Sequence, residues 1–413
     1  MNFDDTPEEA VFRSRAREWI AANAPVELAP ALAKVGFGQQ DFGDVNPIEA
    51  GKEWQRKKYD AGWAALRWPK EYGGAGASAI EQVIWSDEEG VYGRLGSAFV
   101  IGFGMCGPTV MEWADEDAKR ELLPKLASGE EIWCQLFSEP AAGSDLAGIR
   151  TRAVRDGDEW VVNGQKIWTS GAAEADWGLL ITRTDPTLAK HRGLTMFYVS
   201  MHAPGVEVRP IKQINGDSHF NEVYFSDVRI PDTQRLGEVG QGWSVALTTL
   251  MNERASIGGG MPTGFDELFE FASQLETEDG LAIDDRRVRS QLARFAVKSR
   301  GLRYSAFRSM SALSRGEMPG PENSIGKLVA GSMLQAVARY ALDLQGEYGV
   351  ILETDRAADG ARFQRMLMRS PATRIEGGSD EILRNIIAER VLGLPADIRA
   401  DKDVPFDKIP TAS

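Results

Sequence analysis

Two polar segments in the middle of the chain could hold a flat, polar cofactor. The first, Ser138–Thr151 (SEPAAGSDLAGIRT), combines Pro, Gly and small residues with hydroxyl and backbone N–H donors. The second, Val162–Ser170 (VNGQKIWTS), places the Trp168 indole beside the Thr169 and Ser170 hydroxyls. An indole can cover one face of a tricyclic ring while hydroxyls bond its polar rim. The two segments favour a flavin site, with a polar turn and a core tryptophan as the alternative interpretation.

A second chemical group is the pair Glu253–Arg254 in a predicted helix. An apolar stripe is predicted from four residues at helical spacing: Trp243, Leu247, Leu250 and Ile257. At about 3.6 residues per turn, Arg254 falls inside this stripe and Glu253 on its margin. A carboxylate there would lose water, which raises its pKa and suits a general base. Periodicity alone equally allows a solvated ion pair at a helix edge.

One apparent nucleotide motif is rejected. Gly102–Gly107 fits the pattern GxGxxG after an apolar run. However, Pro108 follows at once, the surroundings are helical, and no acidic ribose partner ends a second strand about 20 residues on. We expect a close-packed turn between helices instead.

Composition excludes several classes of protein. The 413 residues include 47 Lys plus Arg against 61 Asp plus Glu, a net charge of -14, which argues against a nucleic-acid partner. Two cysteines and three scattered histidines predict neither a disulfide scaffold nor a metal site. The N-terminus resembles no signal peptide, and no run of about 18 apolar residues predicts a membrane span. We expect a cytoplasmic protein.

The order of elements is helices, then strands, then helices. Helices are predicted after the capping box at Thr6–Glu9, at 48–66, at 80–89, and from a cap at Asp115 over 116–123. Short β-rich runs between Trp133 and Pro231 predict a small antiparallel sheet or barrel. Five further helices are predicted at 243–257, 265–275, 286–313, 324–348 and 380–391, and the middle ones could form a four-helix bundle.

Four motifs in this order resemble the acyl-CoA dehydrogenase family. They are Trp68–Gly74 (WPKEYGG), SEPAAGSD, NGQKIWTS and EGGSDEILRNIIAERVLG, and the resemblance covers roughly residues 5 to 395. It implies a mainly α fold with a central β-barrel. The implied domains are an N-terminal helical domain (1–130), a β-barrel domain (131–235), a C-terminal four-helix bundle (236–395) and a tail (396–413).

The resemblance also implies an FAD site and an acyl-CoA site. The family's flavin contacts fall on nine residues: Gln135, Phe137, Ser138, Trp168, Ser170, Gln345, Gly349, Ser379 and Glu381. The CoA arm would run past Ser144 and Arg254. One departure concerns the flavin phosphates, because the Arg-x-x-Phe-Gly cluster that many members use is not present around Glu276 to Asp285.

Two glutamates compete for the role of catalytic base. Many family members place it seven residues before the Arg of an I-x-R triplet, and counting back from Arg384 reaches Gly377 rather than Glu376. Another branch of the family supplies the base from an earlier Glu-Arg pair, which corresponds to Glu253–Arg254. The register therefore favours Glu253, with Glu376 as the alternative, and leaves the Gly377 N–H to polarise the thioester.

The expected activity is oxidation of an acyl-CoA to its trans-2-enoyl-CoA, as in β-oxidation of lipids. The family implies an electron-transfer flavoprotein as acceptor and a homotetramer or homodimer. Two alternatives stay open: a flavin monooxygenase or oxidase on the same fold, and a non-catalytic subunit of a heteromeric dehydrogenase. The sequence does not choose among straight, branched and ring-bearing acyl groups.

Overall fold

The computed structural model describes residues 5–34, 45–258, 263–314, 320–398, 401 and 403–410. Among these, residues 5–33, 45–253 and 397–410 belong to a first compact unit, and residue 34 with 254–396 to a second. The fold confirms the expected class, with a helical region, a sheet and a second helical region in that order.

Within the described ranges, six α-helices precede the sheet. They are α1 (Pro7–Asn23), α2 (Ala29–Lys34), α3 (Pro47–Asp60), α4 (Ala79–Glu89), α5 (Gly107–Trp113) and α6 (Glu116–Ser128). The predicted capping box is confirmed at α1, where the Thr6 side chain accepts from the Glu9 N–H and the Glu9 carboxylate accepts from the Thr6 N–H. Asp115 caps α6 as expected, accepting a bond from the Ala118 N–H.

Two helix ends differ from the predicted ones. Helix α3 ends at Asp60, six residues before the predicted end, because the chain turns at Gly62 with a φ of +77°. Helix α6 instead continues past Pro124 to Ser128, where Gly129 adopts the left-handed conformation that ends many helices.

The glycines of the rejected GxGxxG pattern serve close packing, as expected. Residues Gly102–Cys106 form a π-helical segment that continues into α5, so the segment is helical rather than a turn. A Cβ on Gly102 would lie 2.6 Å from the Leu126 side chain, and one on Gly107 would overlap the Trp68 ring. These positions pack helices and leave no room for a pyrophosphate.

Eight strands form one sheet in the first unit. They are β1 (Trp133–Leu136), β2 (Arg152–Asp156), β3 (Glu159–Ser170), β4 (Trp177–Arg183), β5 (Leu194–Ser200), β6 (Val206–Ile211), β7 (Phe220–Pro231) and β8 (Arg235–Leu236). The order is β6-β7-β3-β2-β4-β5-β8, with β1 paired to β4. The expectation of an antiparallel sheet is only partly right, because β1–β4 and β2–β4 pair in parallel.

Six helices and a small hairpin follow. They are α7 (Gly242–Gly258), α8 (Phe265–Gln274), β9 (Glu276–Thr277), β10 (Gly280–Leu281), α9 (Arg286–Ser314), α10 (Ser324–Leu344), α11 (Arg362–Thr373) and α12 (Asp380–Ile386). In the second unit, helices α8, α9, α10 and α11 share one apolar core, which includes Phe271, Leu292, Val337 and Phe363. Three of these helices are predicted from the sequence, and the fourth, α11, is not.

Helix α11 is absent from the sequence prediction. Its buried face recurs regularly, at Phe363, Met366, Ser370 and Thr373, but two of these four residues are polar and Pro371 lies within the helix. One predicted helix is too long, because α10 ends at Leu344, before Gly346 with a φ of +58°. The predicted helix at 380–391 is helical throughout, with α12 continuing as π-helix over residues 387–391.

No single helix among the described residues has the length and hydropathy to cross a bilayer. Two segments meet that test only when they are counted together across a 74° bend: Ala79–Phe99 and Gly102–Trp113.

We predict that Gly107→Ala destabilises the protein by about 1–3 kcal/mol, because the added methyl must displace the Trp68 ring in a packed core. Gly96→Ala is the matched control, since a Cβ there meets open space and any gain in helix propensity should be similar. Denaturant unfolding of the two variants measures the difference. Equal stability of both variants would contradict this account of the glycine.

Candidate active site

Trp168 is held outward by an irregularity in strand β3. The register against β7 shifts by one residue between Lys166 and Thr169, which is a β-bulge. Trp168 lies in the bulge with a φ of +60°, and its side chain is 56% exposed. A left-handed conformation is uncommon for a bulky side chain and is found at functional sites. The alternative of a core tryptophan is wrong for this chain.

A buried ion pair lies directly behind the bulge. The Lys166 side chain is fully buried, and its Nζ donates to Glu139 Oε1 at 2.8 Å and to the Phe137 carbonyl at 3.0 Å. Glu139 in turn accepts bonds from the Arg150 and Thr151 N–H groups at 2.6 and 3.0 Å. The pair ties the end of β3 to both ends of the segment Ser138–Thr151.

The two charges of this pair have shifted pKa values. Burial lowers the pKa of Lys166 to about 8, against the opposing effect of Glu139. Burial alone would raise the pKa of Glu139, but the Lys166 charge and the bonds donated to its carboxylate outweigh that effect and hold it below its ordinary range. Both groups therefore carry their charges near neutral pH.

The flavin contacts implied on the first unit lie on adjoining backbone segments. Gln135 is in β1, and Phe137 and Ser138 follow that strand directly. The Ile167 N–H donates to the Ser138 carbonyl at 2.9 Å, so Ser138 lies against the residue that precedes Trp168. Ser170 ends β3 and is partly buried. The structure brings the two polar segments together, as their chemistry suggested.

Helix α7 carries Glu253, and its buried face differs from the predicted stripe. Leu247 is 39% exposed, whereas Val245, Ala246 and Thr249 are fully buried. The Thr249 hydroxyl lies 2.9 Å from that of Thr109 on α5, because this face packs against α5. Glu253 follows Ala246 by seven residues, which places the two within about 20° of each other around the helix axis. Glu253 is therefore on the same face, and it is partly buried. The Arg254 side chain is outside the described part of the chain.

The second unit carries the remaining implied contacts. Ser379 caps α12 by accepting a bond from the Ile382 N–H, and Glu381 is exposed in its first turn. Just before that cap, Gly377 and Gly378 have φ values of +61° and +94°. This places Gly377 in a backbone conformation that other residues rarely adopt.

Gln345 is the residue directly after α10, and it is buried beside α11. Its Oε1 accepts a bond from Gln364 Nε2 at 3.0 Å, while its own Nε2 has no partner among the described residues. Gly349 lies four residues on, where a Cβ would come within 2.8 Å of the Leu342 carbonyl. A buried amide that lacks a partner is a group that a bound ligand could satisfy.

Glu376, the alternative base, is bound to an arginine. Arg369 Nη2 lies 3.0 and 2.8 Å from its two carboxylate oxygens. Both oxygens therefore share one guanidinium on the neighbouring helix α11.

The segment where many family members carry phosphate-binding arginines is acidic here. Residues 276–285 form the β9–β10 hairpin and the turn after it, with five acids and no Lys or Arg. A hollow beside the hairpin is lined by seven residues: Glu270, Phe271, Gln274, Leu275, Glu276, Asp359 and Arg362. Burial raises the pKa of Asp359 there. Within the described ranges, no group of His, Cys, Asp or Glu could hold a metal ion.

Sequence reasoning missed Lys166 and Glu139, although both lie inside the quoted motifs. The sequence contained a signal for this pair. Side chains alternate between the two faces of a strand, which puts Lys166 on the same face of β3 as the buried Trp160 and Val162. A lysine on the inward face of a strand requires an acid partner, and Glu139 is in the neighbouring motif.

Three family models match the chain. They are the acyl-CoA dehydrogenase N-terminal domain (residues 6–130), middle domain (134–228) and C-terminal domain (240–392). The acyl-CoA dehydrogenase IpdE1 of Mycolicibacterium smegmatis is 36% identical over 94% of this chain and 98% of its own length. Two similar solved structures are the Tcur3481-Tcur3483 steroid ACAD and the ChsE4-ChsE5 complex of Mycobacterium tuberculosis. The first has a TM-score of 0.78 and 29% identity, covering 96% of this chain and 100% of that one. The second has a TM-score of 0.76 and 31% identity, with the same coverage.

The chain belongs to the acyl-CoA dehydrogenase family. FAD is the cofactor of this family, and the residues of the first unit fit it. The exposed Trp168 offers a flat apolar face, and the buried Thr169 Oγ1 beside it has no partner among the described residues. In an acyl-CoA dehydrogenase, these groups would cover the flavin ring and bond its polar edge.

We predict that Lys166 makes stability depend on pH in the alkaline range. Its pKa is about 8 in the folded chain and 10.5 in the unfolded chain, so the unfolded chain binds more protons between these values. The stability that this pKa difference contributes is complete above pH 10.5 and is lost as the pH falls through 8. The difference in free energy of unfolding between wild type and Lys166→Met should therefore rise with pH, by at most about 1.4 kcal/mol per pH unit.

The matched control for this prediction is Lys212→Met, which removes an exposed lysine. Its free energy of unfolding should stay parallel to that of wild type between pH 8 and 10. A constant difference between wild type and Lys166→Met across this interval would contradict the assigned pKa.

Proposed function

We propose that this chain oxidises a saturated acyl-CoA to its trans-2-enoyl-CoA in the cytoplasm. The observation that carries the proposal is the exposed, left-handed Trp168 on its bulge, next to Ser138 and Ser170. A solvent-exposed indole in a strained backbone is costly unless a ligand covers it. A flavin would do so.

Glu253 is the proposed base that takes the α-proton of the thioester. Its position beyond Ala246 and Thr249 on the buried face of α7 supports this role, since a side chain there is partly shielded from water. The pairing of Glu376 with Arg369 is a second support, because it occupies both oxygens of the competing carboxylate.

Other residues of the chain would bind and polarise the substrate. The Gly377 N–H would donate to the thioester oxygen, where negative charge develops as the proton leaves. Ser144 and Arg254 would hold the CoA arm. Bound FAD would supply the hydride acceptor for the β-carbon, so that the two-electron oxidation balances with the α-proton on Glu253 and a new C=C bond. An electron-transfer flavoprotein is the proposed acceptor of those electrons.

A steroid-derived acyl group is the proposed substrate class. The support is a similar solved structure, the Tcur3481-Tcur3483 steroid ACAD, which is aligned over 96% of this chain. Anaerobic bleaching of the bound flavin by a panel of thioesters tests it. We expect faster bleaching by a steroid-derived acyl-CoA than by butyryl- or palmitoyl-CoA, and the opposite order would discard this class.

We predict that Glu253→Gln slows anaerobic flavin bleaching by a factor of about 10²–10⁴, the usual contribution of a general base. Glu376→Gln is the matched control and should bleach within a few-fold of wild type, with its flavin retained. A full rate in Glu253→Gln together with a lost rate in Glu376→Gln would reverse the assignment. Oxygen consumption without any acyl-CoA would instead favour an oxidase or monooxygenase.

A heteromeric assembly is a second candidate, favoured over a homo-oligomer by the acidic hairpin. The hairpin and the turn after it, residues 276–285, carry five acids that would repel a flavin diphosphate at the place where many family members bind one. A different partner chain with basic residues would avoid that repulsion. The solved ChsE4-ChsE5 complex supports such an arrangement for this chain.

For this heteromeric candidate, we predict that the chain expressed alone contains well under one FAD per chain after gel filtration and that added FAD does not restore it. The bleaching comparisons would then be made on the complex with the partner chain. Absorbance at the flavin band against protein concentration measures the FAD content per chain, and native mass gives the oligomeric state. A yellow homotetramer with one FAD per chain would exclude the heteromer and restore the homo-oligomer. A colourless chain that stays inactive with every partner would favour a non-catalytic subunit.

A further inference from the structure

A distal segment of the chain returns to the sheet beside the proposed CoA-binding loop. This segment, defined as Asp401 with residues 403–410, lies in the first unit. Its backbone pairs with the β4–β5 loop, where the Phe406 N–H donates to the Leu188 carbonyl and the Asp407 N–H to the Pro186 carbonyl, both at 2.9 Å. Pro405 and Ala189 form an antiparallel bridge.

Arg183 lies between the distal segment and the loop that follows Ser144. Its side chain is buried, and its guanidinium donates to the carbonyls of Ala147 at 2.5 Å and Ile149 at 3.4 Å. The Phe406 ring covers the guanidinium from the other side, with 3.8 Å between the ring centroid and Cζ. The contact is a cation–π interaction in a partly dry environment.

Lys190 also bonds both the distal segment and the loop that follows Ser144. Its Nζ lies 3.0 Å from both carboxylate oxygens of Asp145, the residue directly after Ser144. The same Nζ also donates to the carboxylate of Asp401. The Lys190 side chain is about 10% exposed, whereas those of Asp145 and Asp401 are 61% and 35% exposed, so only the lysine is shielded from solvent.

We propose that Phe406 and Asp401 are positioning residues for acyl-CoA binding. Each of the two cations, Arg183 and Lys190, touches the distal segment on one side and the loop 145–149 on the other. The segment thereby fixes that loop and the adjacent Ser144, which holds the CoA arm but performs no chemistry. This inference rests on the proposed function, because Ser144 is a substrate contact only in an enzyme that binds acyl-CoA.

The test compares Phe406→Ala, Phe406→Tyr and Asp401→Asn in the flavin-loaded protein. We expect Phe406→Ala to raise KM for a bleaching acyl-CoA by about 3- to 10-fold, with kcat within 2-fold. Phe406→Tyr keeps an aromatic face and should restore KM, while Asp401→Asn should give a smaller rise. Phe269→Ala removes an exposed phenyl group from the second unit and serves as the control without effect.

Two further measurements do not depend on turnover. Calorimetric titration with free CoA should show a loss of affinity in Phe406→Ala of the same size as the rise in KM, and amide exchange should increase in residues 142–149. Unchanged KM and CoA affinity in both Phe406→Ala and Asp401→Asn would overturn the inference, as would a fall in kcat alone.

The experiments distinguish a failure of the proposed function from a failure of the role given to the distal segment. If no acyl-CoA bleaches the wild-type flavin, the dehydrogenase assignment is lost, and the CoA titration still decides the role of the segment. Weaker CoA binding in Phe406→Ala then supports that role, and equal binding overturns it. If Phe406→Ala does not fold, Asp401→Asn gives the same comparison at a partly exposed position.

Discussion

A lysine ammonium can be buried in a sheet only where oxygen atoms replace the water that it loses. In this chain the replacement comes from Glu139 and the Phe137 carbonyl, which together hold Lys166. Because the same carboxylate accepts the Arg150 and Thr151 N–H groups, one interaction fixes the start and the end of a long polar loop. The conformation of both motifs next to the proposed flavin depends on it.

The bulge at Trp168 depends on this anchor. A left-handed backbone at a bulky residue costs about 1–3 kcal/mol and persists only where the surroundings determine it. On one side, Lys166 is locked to Glu139. On the other, the Thr169 carbonyl accepts a bond from the buried Asn221 side chain, which fixes the register against β7. The extra residue between these fixed points has to lie outward, and it carries the indole.

The second unit carries its implied contact residues at helix ends. Helices α8 to α11 bury a shared apolar core, and the polar groups of interest lie where α10 and α11 end and where α12 begins. Arg369 on α11 engages Glu376, and Arg374 holds the buried Asp380 at 2.7 Å. These ion pairs constrain the loop that carries Gly377, so its shape follows from the bundle rather than from the loop sequence.

Much of this protein follows from its sequence, because local patterns carry that information. The capping residues Thr6 and Asp115, the change from helical to strand period near Trp133, and the four family motifs all depend on neighbours along the chain. They gave the fold class, the family and the cofactor. The same local patterns missed α11, where Ser370 and Thr373 make half of the buried face polar and Pro371 lies within the helix.

Only the tertiary structure decided which groups meet. Helix α7 packs against Thr109 on α5, so Leu247 lies outside its buried face, while Trp243 and Leu250 of the predicted stripe pack partly buried against the core. Sequence separation also hides the contact between Phe406 and Arg183. A charge or ring finds its partner by burial and geometry across the fold, and periodicity along one element contains no information about the element packed against it.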